Sequence, residues 1–128
     1  MRYLHTMIRV GNIERSVKFY KEALGFRVVR QEDHEEGKFS LVFLQSTPGE
    51  DRFSPQIELT YNWGVEKYDL GKGYGHVAYH VESMADAVKK IEAAGYKLSW
   101  GPGRTPDGKR SMAFVEDPDG YRIELIEG

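Results

Sequence analysis

The feature that most constrains the fold of this 128-residue chain is an internal repeat, in which His5 to Phe26 can be laid on His76 to Tyr96 at an offset of 71 positions. Val10 falls on Val81, Asn12 on Ser83, Ile13 on Met84, Val17 on Val88 and Lys18 on Lys89. A one-residue slip then brings Leu24-Gly25-Phe26 beside Ala94-Gly95-Tyr96. The first offset also carries Ser40 onto Ser111 and Phe43 onto Phe114, and each half closes on the same tripeptide, Ile57-Glu58-Leu59 and Ile123-Glu124-Leu125. Self-similarity of this kind means one supersecondary unit used twice. The expected boundaries are about 1–66 and 72–128, within a single domain of two modules.

Each module begins with an alternating stretch, Tyr3 to Val10 and Gly75 to Val81, that reads as a half-buried strand. A helix follows. Asn12 can cap the first, with Ile13, Val17, Phe19, Tyr20 and Leu24 forming an apolar stripe that Gly25 ends; Ser83 and Asp86 resemble a capping box for the second, which runs to Gly95. The remainder of each half is β-like: Arg27 to Arg30, Phe39 to Gln45 and Gln56 to Tyr61, then Lys97 to Trp100, Arg110 to Val115 and Tyr121 to Ile126. Turns are expected at Gly37, Pro48-Gly49, the run Gly71 to Gly75, Gly101-Pro102-Gly103, Pro106-Asp107-Gly108 and Asp117 to Gly120. The class is therefore α+β, two βαβββ modules forming curved mixed sheets.

The alternation sets side-chain direction. His5, Met7 and Arg9 share a face opposite Leu4, Ile8 and Val10, and His76, Ala78 and His80 share a face opposite Val77, Tyr79 and Val81. Glu58, Thr60 and Asn62 oppose Ile57, Leu59 and Tyr61, and Glu124 opposes Ile123 and Leu125. Two imidazoles and two carboxylates thus occupy repeat-equivalent places on the face away from the helix. A carboxylate on a concave sheet face is costly unless it is paired or coordinates a metal. Taken singly, each of the four also reads as a solvated glutamate or a satisfied histidine; their matched placement is what points to a divalent cation. His34 lies in the charged run Gln31 to Glu36 and reads as part of a solvated turn, while His80, whose mate is Arg9, suits a supporting or substrate contact. Leu41, Phe43 and Phe114 suit either core packing or an apolar pocket.

Composition removes other chemistries. The chain has no cysteine, so neither thiolate nucleophiles nor thiolate metal sites are available, and a metal must be held by nitrogen and oxygen. Eighteen basic against 20 acidic residues leave no drive toward nucleic acid or an anionic membrane. No apolar run approaches the ~20 residues that span a bilayer, and a cytoplasmic protein acting on a small molecule is expected. No serine elbow or phosphate-cradling glycine loop is present, since the glycines from 71 to 75 precede a strand.

The segments His5-Thr6-Met7-Ile8-Arg9-Val10, Glu58-Leu59-Thr60-Tyr61-Asn62-Trp63-Gly64, Tyr74-Gly75-His76 and Phe114 through Leu125 resemble the signatures of glyoxalase I, within the vicinal oxygen chelate superfamily. The closing segment is shared across the superfamily; the Glu-Leu-Thr-Tyr-Asn-Trp-Gly run is more specific. The resemblance implies metal ligands His5, Glu58, His76 and Glu124, with Glu124 as the main proton-transferring base and Glu58 serving the other substrate epimer. It implies isomerisation of the methylglyoxal–glutathione hemithioacetal to the lactoyl thioester through an enediolate. Arg9 and Asn62 would contact glutathione, with further positive charge from Arg104, Lys109 and Arg110. His at the first ligand position and the short chain are similar to the Ni²⁺- or Co²⁺-activated type rather than the Zn²⁺ type. A homodimer with sites shared between subunits is expected. The rival readings are another superfamily enzyme, such as a metal-dependent epimerase, or a metal-free drug-binding protein on the same fold.

Overall fold

A computed structural model describes residues 1–46 and 53–128, and the expected turn at Pro48-Gly49 lies outside the described residues. The chain divides into two units, Met1–Asp69 and Leu70–Gly128. Unit 1 runs β1 (His5–Arg9), α1 (Ile13–Glu22), β2 (Arg27–His34), β3 (Phe39–Gln45) and β4 (Gln56–Asn62). Unit 2 repeats that order as β5 (Val77–Val81), α2 (Met84–Ala93), β6 (Trp100–Arg104), β7 (Ser111–Glu116) and β8 (Arg122–Glu127). Each unit is βαβββ with a four-stranded mixed sheet, β1-β4-β3-β2 in one and β5-β8-β7-β6 in the other. The first and last strands of each module pair in parallel and the others antiparallel, because the helix is the crossover that a parallel connection needs.

Both helices start and stop where local chemistry dictates. Arg15 N–H donates to the Asn12 side chain at 2.9 Å, and Asp86 N–H donates to Ser83 Oγ at 3.2 Å. Gly25 and Gly95 end the helices at positive φ, 76° and 91°, where a Cβ would be strained. After Gly25 the N–H of Phe26 reaches back to the Tyr20 carbonyl, whereas after Gly95 the N–H of Tyr96 reaches Ile91. The first return spans one residue more, which is the one-residue slip of the repeat. Glu127 fixes α2 to its sheet, its carboxylate accepting from Met84 N–H at 2.5 Å.

The apolar faces meet between helix and sheet. Phe19 and Tyr20 of α1 and its C-cap Ala23 are buried with Ile8, Val10, Val42, Leu44, Ile57 and Leu59; in unit 2, Met84 and Ile91 are buried with Val115, Ile123 and Leu125. Each such large side chain contributes roughly 1.5–3 kcal/mol by leaving water. Ile13, Val17 and Leu24 are only half-buried, so the stripe read from sequence is narrower in the fold.

Three expected elements move. The charged run after Arg30 is strand to His34 rather than solvated turn: Gln31 to His34 pair with Val42 to Phe39, and the His34 ring stacks on Phe39 at 4.7 Å. An edge strand tolerates charge on both faces because one side meets water, and the turn is confined to residues 35–38. The strand expected at Lys97 to Trp100 instead begins at Trp100 and runs through Gly101-Pro102-Gly103, where an edge again accommodates proline. His76 stands one residue before β5 rather than inside it.

The edge strands β2 and β6 each carry a bulge. In β2 the register jumps between Val28 and Arg30, so Arg30 rather than Val29 lies opposite Phe43; in β6 it jumps between Trp100 and Gly103. One inserted residue switches every later side chain to the other face. A close backbone approach shapes the other end of unit 1. A Cβ built on Gly11 would lie 1.9 Å from the Glu66 carbonyl oxygen, so the segment after β4 packs on bare backbone there. Gly11→Ala should therefore lower stability by about 1–3 kcal/mol, the usual cost of overpacking. Urea unfolding reads this directly, and an unchanged midpoint would show that Glu66 does not rest on Gly11.

Candidate metal and substrate site

On the sheet face away from α1, His5 Nε2 lies 2.9 Å from Glu58 Oε1. In unit 2 His76 Nε2 lies 2.6 Å from Glu124 Oε2. The two glutamate side chains are only 14% and 13% exposed, against 36% and 40% for the histidines, so each carboxylate is largely desolvated and needs its partner. Each imidazole also lies edge-on to a phenylalanine, His5 to Phe43 at 5.6 Å and His76 to Phe114 at 5.4 Å between ring centroids. Phe43 and Phe114 therefore line the histidine–glutamate face, where the sequence left both core and pocket open.

Strand register explains the convergence. Phe43 is opposite Glu58 and Phe114 opposite Glu124, so each phenylalanine neighbours its glutamate on the same face. Guanidinium groups cover both phenyl rings, Arg30 over Phe43 at 4.0 Å and Arg122 over Phe114 at 4.3 Å. The repeat does not match these arginines: one comes from the second strand of its module, the other from the last. The β2 bulge brings the first onto this face, and no strand pattern reveals a bulge.

The pairs are not identical. Thr60 Oγ1 donates to Glu58 Oε2 at 3.3 Å and anchors that carboxylate, while the position two residues after Glu124 is Ile126, which has no hydroxyl to offer. Tyr74, just before His76, donates its hydroxyl to the Arg122 carbonyl at 3.2 Å and packs edge-on to Tyr121. Burial, then the nearby Asp117 carboxylate and Tyr121, push the Tyr74 phenol up to about 12, so it stays protonated and keeps that bond. Asp117 is buried and accepts from the N–H groups of Asp119 and Tyr121, both at 2.9 Å, closing the turn that delivers β8.

Among the described residues no group of three or more potential ligands forms within reach of one ion; the structure shows two pairs, one per unit. Their donor chemistry fits a divalent cation. Ligands about 2.0–2.1 Å from a metal on neighbouring octahedral positions lie about 3 Å apart, and each pair brings one imidazole nitrogen and one carboxylate oxygen to a comparable separation.

The remaining expected contacts are spread out. Arg9 is opposite Thr60, which puts it on the Glu58 face. Asn62, at the end of β4, donates Nδ2 to the Tyr68 hydroxyl at 2.9 Å. Arg104, Lys109 and Arg110 are exposed at the β6–β7 hairpin end, away from the Glu124 row. That hairpin is well tied: Asp107 accepts from Thr105 Oγ1 at 2.6 Å and from Lys109 N–H at 3.0 Å, and these bonds hold its carboxyl below the usual range. His80 is exposed and Leu41 half-buried.

Two repeated βαβββ sheets, each with a histidine–glutamate pair on its open face, define a recognisable class, and the chain belongs to the Glyoxalase/Bleomycin resistance protein/Dioxygenase superfamily, whose model matches residues 2–125. Within it, the chain is 48% identical to a lactoylglutathione lyase of Escherichia coli over 99% of its own length and 93% of that protein. It superposes on glyoxalase I from Zea mays with a TM-score of 0.91 at 38% identity, covering 98% of this chain but spanning only 44% of the maize chain. The trypanothione-dependent glyoxalase I of Leishmania major gives a TM-score of 0.83 at 43% identity, covering 99% of this chain and 86% of that one.

Proposed function

We propose that this chain is a glyoxalase I, isomerising the hemithioacetal of methylglyoxal and glutathione to S-lactoylglutathione and so detoxifying methylglyoxal. The observation that carries the reading is the pair of repeat-related His–Glu contacts, in a chain 48% identical to a lactoylglutathione lyase along nearly its whole length. His5, Glu58, His76 and Glu124 would hold one divalent ion, which supplies Lewis-acid stabilisation of charge developing on the substrate's two vicinal oxygens.

The chain's own residues move the proton. The hemithioacetal loses a proton from the carbon bearing sulfur and hydroxyl, a proton is delivered to the neighbouring carbonyl carbon, and the hydroxyl proton passes to the former carbonyl oxygen, so the thioester and the new alcohol balance without a redox partner. Glu124 takes and returns that proton for one epimer. This assignment is supported by the asymmetry between the carboxylates, since Thr60 occupies and anchors Glu58. Glu58 serves the opposite epimer. Arg9 and Asn62 bind the thiol tripeptide, Arg9 through a guanidinium fork on a carboxylate and Asn62 through its amide. Arg104, Lys109 and Arg110 add positive charge toward the same anionic co-substrate.

The finer assignments are Ni²⁺ or Co²⁺ as activator, a homodimer with shared sites, and a cytoplasmic location. The first rests on the all-nitrogen-and-oxygen donor set with histidine first. The second is supported by sheets whose first strands, β1 and β5, each pair on one side only among the described residues and leave an edge to be covered. As to the third, no helix among the described residues is long and apolar enough to cross a membrane. Stripping the protein with a chelator and restoring single metals tests the reading: Ni²⁺ and Co²⁺ should return strong thioester formation from methylglyoxal plus glutathione, and Zn²⁺ little. Equal activity with zinc would overturn the metal assignment, and no activity with any metal would overturn the function.

A further inference from the structure

We propose that Trp100 is a specificity-determining residue, forming the wall that receives the side group of the 2-oxoaldehyde and favouring aromatic over methyl substituents. The proposal rests on the glyoxalase reading above. Strand register places Ala78, Glu124, Phe114 and Trp100 in one row across β5, β8, β7 and β6, all on one face. At about 4.8 Å per strand, Trp100 stands two strands, or roughly 10 Å, from the proposed base. With the Glu124 and Trp100 side chains both projecting from that face, a phenyl group extending from the reacting carbons reaches toward the indole while a methyl group falls short.

The indole is both exposed and fixed, an unusual combination for a residue of this size. It is 49% exposed, yet its ring lies 6.1 Å from Phe114 at 67°, and Phe114 in turn contacts His76. Its other support is Gly103, where a Cβ would come within 2.5 Å of the ring; the bulge between the two residues brings that bare backbone beneath the indole. A large aromatic surface held on two sides loses little conformational freedom when a ligand covers it. The matching place in unit 1 is different. There the residue opposite Phe43 is Arg30, so the corresponding surface is a cation rather than an aromatic shelf. An apolar substituent is therefore favoured on the Trp100 side of the reacting carbons and not on the other.

The test compares kcat/KM for glutathione hemithioacetals of methylglyoxal and phenylglyoxal in the metal-loaded wild type, Trp100→Ala, Trp100→Phe and Gly103→Ala. Trp100→Ala should lose about tenfold with the phenyl substrate, the scale of discrimination an apolar pocket provides, and less than about twofold with the methyl one. Trp100→Phe should keep most of the phenyl activity. Gly103→Ala, which displaces the ring without removing it, should shift the ratio in the same direction as Trp100→Ala. Parallel losses on both substrates, or no change in either, would overturn the role of Trp100. Absence of wild-type turnover on methylglyoxal would instead overturn the glyoxalase reading, and this proposal with it.

Discussion

Glu124→Gln should fold normally and lose turnover by about two to four orders of magnitude, the range over which a positioned acid–base group contributes. The substitution keeps the shape of a side chain that is 13% exposed and flanked by Phe114 and Ala78, so no cavity or clash is introduced. Replacing a largely buried carboxylate by a neutral amide also removes no apolar packing. On the proposed mechanism two functions disappear together: the proton acceptor and one of the anionic metal ligands. Circular dichroism and thermal melting should stay close to wild type, while single-turnover thioester formation collapses even at saturating Ni²⁺. Turnover within tenfold of wild type in a folded, metal-loaded variant would remove Glu124 from the mechanism. Glu58→Gln is the informative partner, since the Thr60 hydroxyl already engages that carboxylate and the amide can keep the contact.

The second large effect is the return of activity from two dead variants. If the proposed shared-site dimer holds, His5→Ala and Glu124→Ala should each be nearly inactive alone, because every site then lacks one of the proposed ligands. Unfolded together and refolded, they should yield about a quarter of wild-type activity, since random pairing makes half the dimers mixed and each mixed dimer holds one complete site of two. The reasoning rests on where each pair resides. His5 and Glu58 belong to unit 1, and His76 and Glu124 to unit 2, with no three of the four grouped among the described residues. If one chain's unit 1 serves the other chain's unit 2, a mixed dimer holds one site with all four ligands and one lacking two. Continued inactivity with mixed dimers verified by mass would place each site within one chain and eliminate the shared-site arrangement.

By itself the sequence determined the repeat, the order of elements and the faces. The 71-residue offset, the caps at Asn12 and Ser83, the glycines at 25 and 95 and the period-2 alternation are local properties, written wherever one residue's neighbours in sequence are also its neighbours in space. That is why alternation alone assigns His5, Glu58, His76 and Glu124 to the faces away from the helices. What only the tertiary structure decided was which side chains meet across strands. The two bulges shift register by one residue, and a one-residue shift turns a side chain to the opposite face. Arg30 over Phe43 and Trp100 seated on Gly103 therefore left no periodic trace, whereas Arg122, two residues before Glu124 on unbulged β8, shares its face by simple alternation. Gln31 to His34 likewise read as solvent-exposed turn because their strand is held by backbone pairing with Phe39 to Val42, which places little demand on side-chain polarity at a sheet edge.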